Sequence, residues 1–168
     1  MTNLRTVTEV SYSVISVLLL IYGLANIIGN VIAGKQLATN PIRSMTFIPF
    51  ALFTLYICIF ILGEWLAAMA VIILILGILA GYGQNTMQYM ITEAAPEVPD
   101  FANGLFLLSA NLGTTVGAAA CGAFITFFDT RYSVIGSLLF LAVSIIFVVL
   151  RIRTVQSSKT IKLKVVAQ

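Results

Sequence analysis

Residues Trp65–Thr92 read WLAAMAVIILILGILAGYGQNTMQYMIT, 28 positions without one charged side chain. About 20 residues rising 1.5 Å each cross a hydrocarbon core of roughly 30 Å, so this run is long enough to span a bilayer as a tilted helix. A strand of a membrane barrel would be about 10 residues with apolar and polar positions alternating, and no such alternation is present. Outward from this run lie four more uncharged stretches, Val10–Gly34, Ser44–Gly63, Phe101–Phe128 and Tyr132–Leu150. The sequence therefore predicts an all-α polytopic bundle of about five transmembrane helices, over approximately residues 11–34, 45–63, 65–91, 102–128 and 133–151. Short connections separate them: Lys35–Arg43 with Asn40-Pro41, then Gly63-Glu64, then Glu93–Asp100 with Pro96 and Pro99, then Asp129–Arg131.

Composition agrees. Of 168 residues 60% are hydrophobic and 9% charged, with a mean hydropathy of +1.07, against about 45–50% apolar and about 25% charged in soluble domains. There is too little polar surface to clothe a water-soluble globule, so the lipid bilayer is the expected partner of the outer surface. Histidine is absent, which removes the commonest metal ligand and general base. No Asp or Glu falls within a predicted span, so paired-carboxylate chemistry is denied as well. No catalytic residue, metal site, cofactor or enzymatic activity is expected. Cys58 and Cys121 sit inside apolar runs, where a thiol behaves as a small hydrophobe and implies no disulfide framework.

The formal charge of +3 comes from nine Lys and Arg against six Asp and Glu, and five of the nine lie between Arg151 and Lys164. This reads as a basic tail over residues 152–168 anchoring the chain at the cytoplasmic surface, not as a nucleic-acid site. With Lys35–Arg43 on the same side, only Arg5 and Arg131 remain outside, which predicts an external N-terminus and a cytoplasmic C-terminus. The acidic loop Glu93–Asp100 must then also be cytoplasmic, although it carries no Lys or Arg; acidic residues weigh little in this rule. A chain that starts outside without a signal peptide ordinarily needs a preceding span, so this one is expected to be the tail of a longer protein.

Small residues recur at helical spacing. Ser109, Gly113, Gly117 and Cys121 form one stripe on the fourth helix beside Gly122. The first helix carries Gly23, Gly29 and Gly34, and the third Gly77, Gly81 and Gly83. Such stripes allow close helix crossings, and packing is their expected role. Uncharged amides inside lipid are the better functional pointers, because each needs a partner in the bundle or water in a cavity. Asn26 and Asn30 share a face, as do Gln84 and Gln88; Asn85 and Asn111 complete the set. Together they suggest a polar pathway, with Asn26, Asn30, Gln84, Gln88 and Asn111 as its candidates. Gly81-Tyr82-Gly83 is not read as a potassium filter, since Leu79-Ala80 precede it and no pore-loop break interrupts the run. Gly81-Tyr82-Gly83-Gln84 is likewise not an intramembrane aspartyl protease motif, because Gln84 stands where the carboxylate would be.

Tyr22-Gly23-Leu24-Ala25-Asn26-Ile27-Ile28-Gly29-Asn30 with Gly34, and Asn103-Gly104 through Ser109-Ala110-Asn111-Leu112-Gly113 to Gly117, resemble the eighth and eleventh helices of major facilitator superfamily permeases, specifically the bacterial drug- and sugar-efflux group of proton antiporters. The resemblance covers nearly the whole chain. Gly34, Leu37, Ala38 and Arg43 resemble a decayed copy of the family's loop G-x-L-A-D-R-x-G-R, with Thr39 in place of its acid. The resemblance implies that the five spans are helices eight to twelve, the C-terminal half of a transporter whose substrate lies between two six-helix halves. It implies export of small organic molecules such as drugs, sugars or nucleosides across a bacterial cell membrane in exchange for protons, with the coupling carboxylate in the missing half. The chain is then expected to be inactive alone, needing an N-terminal half or self-association. The alternative is a free-standing small membrane protein that regulates a partner transporter.

Overall fold

Every long uncharged run forms a helix. The computed structural model describes residues 12–63, 65–127 and 133–166, which fold as α1 (Tyr12–Thr39), α2 (Pro41–Leu62), α3 (Leu66–Ala94), α4 (Pro99–Phe127) and α5 (Ser133–Val166). All five are long and apolar enough to cross a membrane, and the described residues contain no strand. Helices of 28 and 29 residues, as α1, α3 and α4 are, reach about 43 Å, which exceeds the hydrocarbon core and calls for tilt.

Helix ends differ from the predicted spans where the sequence offers no breaker. Helix α1 continues past Gly34 through Lys35–Thr39, so the connection to α2 shrinks to Asn40. Nothing in Lys35–Thr39 opposes a helix, and Leu37, 7% exposed, anchors the last turn in the core. Pro41 then opens α2, where a missing N–H costs no hydrogen bond. Similarly, α5 does not end near residue 151 but runs through the basic segment to Val166, which contains neither Gly nor Pro. The start of the chain, Glu64 and the Asp129–Arg131 connection lie outside the described residues.

Helix α3 is the hub. It packs against α1 on one side and α2 on another, while α2, α3, α4 and α5 close a ring in which α2 also meets α5. The core joins Ala33 and Leu37 of α1, Ile48 and Leu55 of α2, and Ile72, Leu79 and Tyr82 of α3. Ser44 of α2, fully buried, lies 2.7 Å from the Tyr82 hydroxyl, and the Phe47 ring meets Tyr82 edge-on at 6.5 Å. Outside, large apolar side chains such as Leu19, Leu20, Ile61 and Phe147 are exposed; against acyl chains these surfaces carry no hydrophobic penalty.

The α1/α3 contact follows from glycine. A Cβ added at Gly77 would stand 2.6 Å from the Tyr22 carbonyl oxygen, and one at Gly81 would collide with the Asn26 carbonyl. The next pair along, Asn30 and Asn85, is hydrogen-bonded. Because all three pairs ascend together in sequence, the two helices run parallel, backbone against backbone. Gly29 makes the reciprocal approach, its missing Cβ giving room to the Ile78 carbonyl.

Candidate functional site

Two cavities fill the ring. One, of about 620 Å³, is lined by Tyr22, Tyr56, Gly113, Gly117, Ser137 and Phe140 among others. A second, of about 750 Å³, is lined by residues that include Met45, Pro49, Gln84, Met87, Phe106 and Phe147. Leu52, Ala80, Met87, Leu141 and Ser144 border both, so the two are contiguous. Among the described residues neither lining contains a carboxylate, and Arg151 is the one charged residue in either. Most of the wall is aliphatic, aromatic or thioether, a surface suited to apolar matter and able to remould around it.

Several polar groups at the cavity are turned back on their own helices. Thr86 donates to the Tyr82 carbonyl at 2.9 Å, and Ser137 reaches the Ser133 carbonyl at 3.4 Å. Gln84 differs: it is exposed and has no side-chain partner among the described residues. Pro49 lacks the N–H that would bond the Met45 carbonyl, so an acceptor on the cavity wall is released from the helical ladder.

The candidate amides do not converge on one space. Asn85 Nδ2 donates to Asn30 Oδ1 at 2.6 Å, and Asn30 Nδ2 donates to Asn26 Oδ1 at 3.1 Å, so these three form a relay across the α1/α3 contact. Gln88 Nε2 donates to Asn103 Oδ1 at 2.9 Å and ties α3 to α4. Asn111 is exposed on α4 and donates to the Leu107 carbonyl of its own helix at 2.9 Å. Only Gln84 borders a cavity. Asn85 was legible as an amide at i+4 and i+8 from Gly81 and Gly77, and that register is the signal for its partnership with α1. Ser44 and Tyr82 carried no sequence signal, because hydroxyls inside apolar runs usually bond the preceding turn.

The glycines divide sharply. A Cβ at Gly23, Gly113, Gly117 or Gly122 would meet nothing within 4 Å, whereas Gly29 is closely packed. Helix α4 is accordingly the least covered element: its sole buried residue is Ala102, and Thr114 and Thr115 bond only their own helix. Of the loop-like residues, Gly34 is open, Leu37 is buried in the core, Ala38 is exposed, and Arg43 is exposed on the first turn of α2. No group of three or more His, Cys, Asp or Glu that could hold a metal occurs among the described residues.

The two charged loops share an end of the bundle. Asn40, Pro41, Glu93 and Arg151 all border one pocket of about 360 Å³, so the α1–α2 connection, the end of α3 and the basic segment of α5 lie on one face. The sequence matches the family model described as Major Facilitator Superfamily over residues 2–166, nearly its full length. No curated protein and no solved structure matches it.

Proposed function

Because this chain belongs to the major facilitator superfamily, whose members are membrane transporters, we propose that it is the second half of a proton-coupled efflux permease, its five helices corresponding to helices eight to twelve. The observation that carries this reading is α4. A 29-residue helix with one buried residue presents Ser109, Asn111, Thr114 and Thr115 outward, with Gly104 and Gly122 open beside them. Lipid covers apolar surface, but it neither fills a glycine groove nor hydrogen-bonds an amide. A partner bundle of helices would do both. The substrate is a small organic molecule, and Gln84 and Asn111 are the amides we assign to its path, with Asn26, Asn30 and Gln88 maintaining helix geometry beside it.

Among the described residues no carboxylate borders the two cavities within the ring, which supports a division of labour in which the proton-carrying acid belongs to the other half. The charged face bearing Lys35, Arg43 and Arg151 is assigned to the cytoplasm of a bacterial cell, with the N-terminus outside. Co-expression with a six- or seven-helix N-terminal bundle from a drug-efflux relative tests the reading. The chain should become more abundant, and proton-dependent efflux of a fluorescent substrate should appear only with both pieces. A chain that is stable and monomeric alone, unaffected by the added bundle, would sink the proposal and favour a regulatory protein.

A further inference from the structure

All five helices contribute to the cavity of about 620 Å³, and its wall differs from that of the Gln84-lined space beside it. Tyr22 of α1, Tyr56 of α2 and Ser144 of α5 all border it, each half-buried. Among the described residues none of these three hydroxyls has a hydrogen-bond partner, and no side-chain polar atom cut off from open space is left unbonded, so each of the three has room beside it. Tyr56 interacts electrostatically with Tyr22 and with Cys121 of α4, which brings polar groups of three helices to one part of the chamber. Along α4 the lining is Gly113, Gly117 and Ala120, one face of a helix at spacings of four and three, and a Cβ at either glycine would meet nothing within 4 Å. Bare helix backbone therefore forms a smooth strip of wall, and Phe140 adds an aromatic ring to the same space.

Charge is the second constraint. Among the described residues no carboxylate borders this chamber or the contiguous one, and the single charge on either is the guanidinium of Arg151. A cation entering gives up water without gaining a counter-ion, and Arg151 repels it. An anion gives up water too and finds its only counter-charge in the neighbouring cavity. A neutral ring bears neither cost. We propose that this chamber binds uncharged, flat aromatic molecules with a carbonyl, hydroxyl or N–H group at an edge: the ring against α4 and the aromatic side chains, the polar edge at Tyr22, Tyr56 and Ser144. A phenolic or serine hydroxyl donates or accepts, so either kind of edge group is matched. The volume lies within the roughly 300–1,000 Å³ of small-molecule sites. Tyr22 and Tyr56 are then specificity-determining residues. That the bound molecule is the cargo rests on the transport reading; that it binds does not.

Tricyclic probes of one shape separate shape from charge. Acridone is neutral with a carbonyl and an N–H, 9-aminoacridine is a cation, acridine-9-carboxylate is an anion, and anthracene is neutral without a polar edge. Cys121 borders the chamber and reports its occupancy. In the full chain with Cys58 replaced by Ala, alkylation of Cys121 by N-ethylmaleimide is followed by mass spectrometry at neutral pH, with free probe concentrations fixed by dialysis against the same micelles. Without a probe the thiol should react. Acridone should halve the rate at a concentration at least tenfold below that needed of either charged probe, the anion ranking ahead of the cation. Tyr22→Phe and Tyr56→Phe should each weaken acridone about fivefold, the worth of one hydrogen bond, and leave anthracene unchanged. Gly117→Leu, whose Cβ meets no neighbour, should remove protection by every probe while its circular dichroism matches the parent's. An unreactive Cys121, equal protection by neutral and charged probes, or Tyr22→Phe and Tyr56→Phe variants that weaken acridone and anthracene alike would overturn the assignment. Binding is read on this chain alone: lost selectivity with efflux intact in the co-expressed pair strikes only this assignment, whereas selective binding without efflux strikes only the transport reading.

Discussion

Replacing Gly81 by Ala adds one methyl group where the structure has no room for it. The new Cβ would overlap the Asn26 carbonyl, a backbone atom that moves only if α1 and α3 separate. Overpacking of this kind costs about 1–3 kcal/mol. Separation also stretches the Asn85–Asn30 hydrogen bond, 2.6 Å long in the native contact, at roughly 0.6 kcal/mol for an interhelical bond in lipid. Helix propensity works the other way, since Ala is favoured over Gly by up to about 1 kcal/mol. The losses together are larger, and the net expectation is about 0.6–2.6 kcal/mol of destabilisation. Gly113→Ala is the matched control, with the same chemistry at a position where a Cβ meets nothing within 4 Å; only the propensity gain remains, so stability should be unchanged or slightly raised. For a chain of this size 1 kcal/mol corresponds to about 2–4 °C in Tm. Thermal unfolding of both variants in one detergent, followed by circular dichroism, should show Gly81→Ala lowered by about 1–10 °C and Gly113→Ala unchanged or raised by up to about 4 °C. If the two variants melt together, the parallel α1/α3 contact is not the crossing that holds the bundle.

In a double-mutant cycle of Asn30→Leu and Asn85→Leu, SDS-induced unfolding should give a coupling energy of about 0.6 kcal/mol and at most about 1.7, and a value of zero would remove the relay. Ser44→Ala and Tyr82→Phe should each cost about 1 kcal/mol, and the pair should cost less than their sum because they break one buried bond; strict additivity would contradict that contact. In a chain with Cys58 and Cys121 replaced by Ser, single cysteines at Lys35, Glu97 and Arg153 should all react with an impermeant maleimide from the same side of the membrane, and one at Trp65 from the other. Labelling of Glu97→Cys and Arg153→Cys from opposite sides would break the shared charged face. With a complementing N-terminal half, Gln84→Leu should reduce efflux several-fold more than Leu74→Ala on the lipid-exposed side of α3, as measured by substrate accumulation. Equal efflux would demote Gln84 to a structural amide.

The number of helices, their approximate extents and their need for lipid were all legible from the sequence. Those properties are local and additive: a run of uncharged residues has a length, and the bilayer has a thickness. Breakers were legible too, as at Asn40-Pro41 and Pro99, but helix ends without a breaker were not. Lys35–Thr39 and Arg151–Val166 look polar and loop-like in one dimension, yet both continue helices because nothing in them opposes helical hydrogen bonding. The pairing of faces lay beyond the sequence. Glycine stripes occur on α1, α3 and α4 alike, and in lipid no hydrophobic gradient tells one apolar face from another. Only the folded chain selects Gly77 and Gly81 for contact with α1 and leaves Gly113 and Gly117 open. The amides divide for the same reason. Asn26 and Asn30 share a face by helical spacing, but whether that face meets Asn85 or a cavity depends on where another helix, 55 residues along the chain, comes to rest.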